Sequence, residues 1–189
     1  RGMHEVMDIL AEAELSDTAR KLAVKIFTIL GEAEAKAHGT TLENVHFHEV
    51  GAVDSIVDIV GAAVCLDNLG IQDVVIQELA EGHGMIRCQH GLLPIPVPAV
   101  ANIVAAHGLD LQITETEGEL VTPTGAAIAA AIRTEEKLPK HFKIVKTGLG
   151  AGKRAYDRPS ILRVMILETT EGEKAESGTD AVAAPAEKE

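Results

Sequence analysis

The stretch ELSDTARKLAVKIFTILGEAEAKAHG, residues 14–39, places its large apolar side chains at helical spacing. These side chains are Leu22, Ile26, Ile29, Leu30 and Ala33. Ser16 fits the N-cap of a helix, and Gly39 fits a C-terminal stop. The stretch therefore predicts one long helix.

Helical and strand-like segments alternate on both sides of this helix. Further helices are predicted over residues 3–13, 54–69 and 122–133, and LLPIPVPAVANIVAAHG, residues 92–108, predicts a Pro-bounded turn into a helix that stops at Gly108. Strands are predicted over residues 45–49, 73–82, 109–114, 141–148 and 160–167. Because strands and helices interleave, the expected fold class is α/β, a sheet packed with Ala-rich helices.

The composition limits how the core can be built. Hydrophobic residues make up 46% of the 189 residues, but aromatic residues only 2%, and there is no Trp. The core is therefore expected to consist of Ala, Val, Ile and Leu side chains. The chain length predicts one ordered domain.

The net charge of −12 argues against a nucleic-acid-binding protein, which normally presents a basic face. Part of this charge is local, since seven acidic and two basic residues lie from Glu168 onward. That segment is also poor in large apolar residues. We therefore expect an ordered domain over residues 1–167 and a disordered acidic tail over 168–189.

The cysteines and the hydropathy of the chain indicate its cellular compartment. Cys65 and Cys88 form no CxxC motif and no disulfide framework, which favours a reducing cytoplasm. No apolar run reaches the roughly 20 residues that a membrane span needs, so no membrane partner is expected. The chain starts with Arg1 instead of Met, which suggests a piece of a longer protein.

The segment VHFHEVGAVDSIVDIVG, residues 45–61, combines metal-binding side chains. On a strand, His46 and His48 would share one face and could reach one ion such as Zn²⁺, Ni²⁺, Cu²⁺ or Fe²⁺. Asp54 and Asp58 would share one face of the following helix, as oxygen ligands or as partners of the imidazole N–H groups. The alternative is a half-exposed strand followed by a helix whose Asp54 stabilises the helix dipole.

The segment EGHGMIRCQHG, residues 81–91, adds His83 and His90 next to glycines that leave the imidazoles accessible. Cys88 lies two positions before His90, and its thiolate would favour a soft or borderline metal. The alternative is a hairpin in which the glycines serve turns and the histidines are solvated. His4, His38, His107 and His141 are interpreted as surface or helix-end residues.

The glycine-rich segment KTGLGAGKRAYDRP, residues 146–159, matches neither the phosphate-binding loop nor the dinucleotide-binding pattern. Flexible backbone N–H groups beside Lys153, Arg154 and Arg158 could hold a phosphate or a carboxylate. A glycine turn with solvated basic residues explains the same pattern. Thr122 and Thr124 at a predicted helix start allow either anion binding or capping alone.

Four motifs occurring in one order resemble a known family. They are AEAKAHGTTLENVHFHEVGAVDSIVDIVGAA, GHGMIRCQHGLLPIPVPA, GELVTPTGAAI and TGLGAGKRAYDRPSILRVMI. Together they are similar to the LarC family, the nickel-insertion proteins of nickel-pincer nucleotide biosynthesis. The resemblance covers roughly residues 1–167.

The resemblance implies a specific activity. Proteins of this family bind Ni²⁺ and insert it into pyridinium-3,5-bisthiocarboxylic acid mononucleotide, forming nickel–sulfur and nickel–carbon bonds with consumption of CTP. The resemblance thus implies a CTP-dependent nickel-inserting lyase whose product cofactor serves lactate racemase and related enzymes. Assigning His46, His48, Asp54, Asp58, His83 and His90 as nickel ligands rests on the chemistry of their donor atoms. Lys153, Arg154 and Arg158 are expected to hold the anionic mononucleotide.

Two departures from the family pattern affect the expected partners. Family members open with a glycine-rich first strand, whereas this sequence begins after it. Family members also continue into a C-terminal domain associated with CTP, whereas this sequence runs into the acidic tail after Leu167. The C-terminal CTP-binding half is therefore an expected partner, in cis or in trans, and a homo-oligomer is possible. Two other functions stay open: a metal-free scaffold domain for that CTP-binding half, and a Zn²⁺-dependent hydrolase with Glu49 as general base.

Overall fold

The structure, a computed structural model, describes residues 2–45, 47, 53–88 and 90–169, which form five α-helices, one short 3₁₀ helix (Leu42–Asn44) and six strands. The helices are α1 (Met3–Glu12), α2 (Asp17–His38), α3 (Val53–Asn68), α4 (Pro98–His107) and α5 (Pro123–Ile132). The strands are β1 (Leu79–His83), β2 (Met85–Cys88), β3 (Gly91–Pro94), β4 (Leu111–Glu117), β5 (Phe142–Ala151) and β6 (Ile161–Thr169). This interleaving of helices and strands confirms the α/β class.

The chain divides into two compact units. The first, here called the helical unit, contains Arg1–Leu138 and Gly152–Ser160. The second, the hairpin unit, contains Pro139–Ala151 and Ile161–Glu189. The predicted boundary between an ordered domain over 1–167 and a tail over 168–189 stays a prediction. Strand β6 extends through Thr169, two residues into that tail, and residues 170–189 lie outside the described residues.

Helix α2 forms as its sequence predicts. The Ser16 side chain accepts a hydrogen bond from the backbone N–H of Ala19 at 3.0 Å, which caps the first turn. Gly39 ends the helix in the left-handed region, with φ of 64°, a conformation that glycine adopts at little cost. Ile26 and Leu30 are fully buried.

The core of the helical unit lies around α2, which packs against the other four helices. Gly31 allows the segment after α2 to approach closely, because a Cβ atom there would lie 2.6 Å from Leu42 Cδ1. The rings of Phe27 and Phe47 meet edge to face, with centroids 6.4 Å apart. The rest of the core is mainly Ala, Val, Ile and Leu, as the composition predicts.

Side-chain hydrogen bonds to backbone carbonyls also join the helices. Asn102 of α4 donates to the carbonyl oxygen of Ala33 in α2 at 3.1 Å. Lys25 of α2 donates to the carbonyl oxygen of Ala131 in α5 at 2.6 Å. These contacts hold α4 and α5 against α2.

The strands of the helical unit form two small sheets among the described residues. Strands β1 and β4 are parallel, and β2 and β3 form an antiparallel hairpin. The predicted strand over 73–82 is wrong for its first half, because only Leu79–His83 is a strand and Val75 forms a single bridge with Glu135. The predicted strand over 109–114 is β4, which starts at Leu111 and ends later, at Glu117. Its register with β1 shifts between Glu81 and His83.

The hairpin unit consists of β5 and β6, paired antiparallel from Phe142 opposite Thr169 to Ala151 opposite Ile161. Apolar side chains occupy both faces, as the register shows. Leu162 and Val164 lie on one face, whereas Leu149 and Ile161 lie on the other. All four are more than half exposed.

None of the described helices is both long enough and apolar enough to cross a membrane.

Candidate functional site

The two predicted carboxylate ligands lie on the first two turns of α3. Asp54 and Asp58 are four residues apart, so they lie on the same side of the helix, and both are exposed. The adjacent Val53 and Val57 are also exposed, at 58% and 61%. The start of α3 therefore presents two carboxylates and two apolar side chains on one accessible surface.

The predicted ligand His83 lies at the end of β1, where the backbone is closely packed. A Cβ atom on Gly82 would lie 1.8 Å from the carbonyl oxygen of Gly118, so only glycine fits there. Gly84 has a φ of 93°, which turns the chain from β1 into β2. His83 is exposed, and its Nε2 lies 3.3 Å from the carbonyl oxygen of Glu115.

The predicted ligand His90 lies in the turn of the β2–β3 hairpin. The hairpin interpretation of this segment is confirmed, with Cys88 paired to Gly91 and Met85 paired to Pro94. His83 and His90 thus lie at opposite ends of the hairpin, and the four residues of β2 between them span about 10 Å.

The structure gives His90 two neighbours. Cys88 Sγ lies 3.9 Å from His90 Nδ1. The ring of His38 lies with its centroid 4.8 Å from that of His90, at an angle of 53°. His38 is the last residue of α2, as the sequence predicts, but its contact with His90 was not expected. The two residues are far apart in sequence, and no sequence pattern connects them.

The two central predicted ligands, His46 and His48, lie outside the described residues, as does Glu49. Their described neighbours Val45 and Phe47 are buried, at 1% and 4% exposure. Among the positions that the structure describes, no three His, Cys, Asp or Glu side chains are placed to hold one metal ion. The ligand set of six residues therefore stays a prediction.

A buried carboxylate next to His83 was not predicted. Glu81 is fully buried, and its Oε1 accepts hydrogen bonds from the backbone N–H groups of Gly82 and Leu120 at 2.8 Å and of Val121 at 3.1 Å. Its Oε2 is buried and has no hydrogen-bond partner among the described residues. Glu81 thereby joins the end of β1 to the loop before α5.

The start of α5 is capped by its own side chain. Thr122 Oγ1 accepts a hydrogen bond from the backbone N–H of Gly125 at 3.1 Å, and Pro123 occupies the first turn. The capping interpretation of this segment is confirmed.

The predicted anion-binding residues lie in the loop between β5 and β6, in the part that belongs to the helical unit. Lys153, Arg154 and Arg158 are all exposed. Tyr156 anchors the loop, since its hydroxyl donates to the carbonyl oxygen of Glu119 at 2.6 Å. The side-chain hydrogen bond with Tyr156 raises the pKa of Arg154, whose guanidinium is positively charged at any ordinary pH. The loop therefore holds three cations beside a fixed tyrosine.

Comparison with known proteins identifies the family. A family model described as nickel insertion protein matches residues 1–184. The chain belongs to the nickel insertion protein family, which confirms the resemblance found in the sequence motifs.

Three relatives carry the name pyridinium-3,5-bisthiocarboxylic acid mononucleotide nickel insertion protein. The relative from Alkaliphilus metalliredigens is 56% identical over 168 residues, which cover 89% of this chain and 40% of the relative. The relative from Akkermansia muciniphila is 46% identical over 174 residues, covering 92% of this chain and 42% of the relative. The one from Acetivibrio thermocellus is 41% identical over 174 residues, covering 92% and 43%.

The chain spans about two fifths of the length of these relatives. No solved structure matches it significantly.

Proposed function

We propose that this chain binds Ni²⁺ and takes part in its insertion into pyridinium-3,5-bisthiocarboxylic acid mononucleotide. The observation that carries the proposal is the family match over residues 1–184, together with the names of relatives up to 56% identical. Nickel is the cargo of this reaction and leaves with the product. The binding site must therefore both capture the ion and release it.

The predicted ligands suit such a transient site. His46, His48, Asp54, Asp58, His83 and His90 supply imidazole nitrogens and carboxylate oxygens, which hold Ni²⁺ less firmly than a set of thiolates. The four described members of this set are exposed, so an ion and a second substrate can reach them. Because His83 and His90 lie far apart, at opposite ends of the hairpin, we propose that more than one group of ligands binds nickel during its delivery.

The substrate is anionic at its phosphate and thiocarboxylate groups, and the loop over residues 152–160 supplies cations for it. Lys153, Arg154 and Arg158 are exposed, and guanidinium groups bind phosphate and carboxylate oxygens with two parallel hydrogen bonds. Because Tyr156 fixes this loop to Glu119, the cations need less ordering when the mononucleotide binds.

The detailed activity is inferred from that of the complete, longer proteins of the family. We infer a CTP-dependent nickel-inserting lyase, with CTP bound by the C-terminal half of the longer relatives and the product used by lactate racemase-type enzymes. Assembly with that half, in cis or in trans, completes the activity. A cytoplasmic location, expected from the cysteine usage, is part of the same proposal.

Calorimetric titration with Ni²⁺ tests the proposal. We expect saturable binding to the full chain, and we expect His46→Ala with His48→Ala to weaken it more than about 100-fold, because two imidazole ligands are removed. The matched control is His4→Ala with His107→Ala, which removes two histidines outside the predicted ligand set.

Circular dichroism must show that both double variants are folded. Equal nickel affinity of the folded His46/His48 variant and the wild type would contradict the proposed ligands. Absence of nickel binding to the folded wild type would contradict the proposed function of this chain.

A second function, a metal-free scaffold for the CTP-binding half, is favoured by one observation. The β5–β6 hairpin is two-stranded and exposes large apolar side chains on both faces. Such a hairpin is marginally stable without a covering partner. The two functions are compatible, since a nickel-binding unit also has to be held next to the site that uses CTP.

A further inference from the structure

Tyr156 is the single tyrosine of a chain that has no Trp, and it lies in the middle of the loop over residues 152–160. Its hydroxyl donates a hydrogen bond to the carbonyl oxygen of Glu119 at 2.6 Å, which holds the ring in place. The side chain is only half-buried, so part of the ring stays open to solvent. A fixed and partly open aromatic ring is a surface on which a flat ligand can stack.

The ring of Tyr156 packs on Gly118, in the loop that joins β4 to α5. A Cβ atom on Gly118 would lie 3.2 Å from Tyr156 Cε1, and the φ of 113° at this residue also favours glycine. The backbone N–H of Gly118 donates to the carbonyl oxygen of His83 at 3.0 Å. Gly118 therefore contacts both the ring of Tyr156 and the end of β1, which carries the proposed nickel ligand His83.

Charged side chains lie next to this ring. Arg154 forms a side-chain hydrogen bond with Tyr156 and interacts electrostatically with Glu119. Because a guanidinium has five N–H donors, Arg154 can bind the tyrosine and still bind a phosphate or carboxylate oxygen. Glu119 and the exposed Asp157 add negative charge beside the cations of the loop. The surface therefore suits a ligand that carries charges of both signs.

The substrate named under the proposed function has this chemistry. A pyridinium ring is a flat aromatic cation, which stacks favourably on the electron-rich face of a tyrosine. Its phosphate and thiocarboxylate groups are anions of the kind that guanidinium groups bind. The other aromatic residues of the chain lie elsewhere, because Phe27 and Phe47 are buried in the core and Phe142 belongs to the hairpin unit. Tyr156 is thus the aromatic ring that adjoins the cationic loop.

We propose that Tyr156 binds the pyridinium ring of the mononucleotide by stacking, while the cations of the loop bind its anionic groups. The identity of the ligand rests on the proposed function, whereas the place of binding rests on the contacts of Tyr156. Through Gly118, Tyr156 presents the pyridinium ring close to His83. A nickel ion bound by His83 is then near the ring into which it has to be inserted.

Tyrosine fluorescence of the full chain tests this stacking, because the emission comes from Tyr156 alone in a chain without Trp. The probe is nicotinic acid mononucleotide, in which a pyridinium carboxylate is joined to ribose phosphate. Ribose 5-phosphate is the matched ligand that lacks the ring. We expect saturable quenching of the emission by the mononucleotide and little quenching by ribose 5-phosphate, because only the electron-poor ring stacks on the tyrosine.

Substitutions separate stacking from the role of Tyr156 as an anchor of the loop. The measured quantity is the ratio of the two affinities, mononucleotide to ribose 5-phosphate, obtained by calorimetry. Loss of the anchor weakens both ligands alike and leaves this ratio unchanged. We expect Tyr156→Leu to lower the ratio about tenfold, because the stacking ring is lost. Tyr156→Phe removes the hydrogen bond to Glu119 but keeps a ring, so it should keep the wild-type ratio.

Phe142→Leu is the matched control, since it removes a half-buried ring from the hairpin unit and should change neither affinity. Circular dichroism must show that all three variants are folded. A ratio that Tyr156→Leu leaves unchanged, or that Tyr156→Phe lowers as much as Tyr156→Leu does, overturns the stacking. Absence of mononucleotide binding to the folded wild type overturns it as well.

The nickel titration of the wild type keeps the two proposals separate. Nickel binding without quenching by the mononucleotide overturns the role of Tyr156 and leaves the proposed nickel binding intact. Quenching that depends on the ring of Tyr156, without nickel binding, supports the stacking and contradicts the nickel function of this chain.

Discussion

At the residue scale, Glu81 has the most unusual environment among the described side chains. It is a fully buried carboxylate whose Oε1 accepts three backbone hydrogen bonds, two of them from the residues just before α5. Buried carboxylates are rare unless their oxygens accept hydrogen bonds, and here Oε1 accepts all three of these hydrogen bonds. This single side chain therefore fixes the loop that leads into α5 against the end of β1, which carries His83.

We expect Glu81→Ala to lower the free energy of unfolding by about 3 kcal/mol, because it leaves three backbone N–H groups without their acceptor. Glu81→Gln should cost less, since the amide oxygen can still accept from the same groups. Denaturant unfolding followed by circular dichroism measures both. Glu78→Ala is the control, because Glu78 is exposed three positions earlier and its removal should change stability very little. Equal stability of Glu81→Ala and the control would show that the loops do not depend on this carboxylate.

At the scale of the elements, the same substitution should have opposite effects at two glycines. A methyl group on Gly82 would lie 1.8 Å from the carbonyl oxygen of Gly118, so β1 and the loop after β4 would have to separate. A methyl group on Gly61, inside α3, meets nothing within 4 Å. The close approach at Gly82 is thus a requirement of the β1–β4 pairing, whereas the glycine in α3 carries only a cost in helix propensity.

We expect Gly82→Ala to destabilise the chain by about 3 kcal/mol through overpacking against backbone. We expect Gly61→Ala to stabilise it by roughly 0.5–1 kcal/mol, because the unfolded chain loses conformational freedom and the helix keeps its geometry. Thermal unfolding of the two variants beside the wild type measures both effects. A neutral Gly82→Ala would mean that β1 and the loop after β4 are not held at this distance in solution.

At the scale of the whole molecule, the hairpin unit carries more exposed apolar surface than a two-stranded sheet normally tolerates. Leu162 and Leu149 are 70% and 67% exposed and lie on opposite faces. Strands that are apolar on both faces are typical of sheets covered on both sides. We therefore predict that this unit is covered by the C-terminal half proposed above as its partner.

The expected consequence is a loss of association when this surface is charged. Leu162→Lys with Val164→Lys, both on one face, should weaken binding to the separately produced part of the Alkaliphilus metalliredigens relative that lies outside the matched residues by at least about tenfold, because two buried lysines oppose association. Calorimetry or co-purification measures the effect. Leu69→Lys, an exposed leucine at the end of α3, should leave binding unchanged. Equal weakening by Leu69→Lys, or none by the double variant, would exclude the hairpin as the contact surface.

The amino-acid sequence by itself determined the local structure and the family. Helices were predicted within one or two residues of their ends, because Ser16, Thr122, Gly39 and Gly108 act on the neighbouring turn of backbone. The strands were less accurate, as residues 73–78 show, since a β-rich segment becomes a strand only if a partner strand is available. The ordered set of motifs was sufficient to identify the nickel insertion family.

The tertiary structure alone decided which distant side chains meet. His38 was predicted as a helix-end residue, and it is one, but only packing of the hairpin against α2 brings it to His90. Glu81 was placed in a β-rich segment and given no role, and only the approach of the loop before α5 makes it a buried hydrogen-bond acceptor. Periodicity and capping describe interactions within a few residues of the chain, whereas contacts between residues about forty or fifty positions apart depend on how whole elements pack. For that reason the sequence predicted candidate ligands, whereas the fold decided which of the described side chains lie near one another.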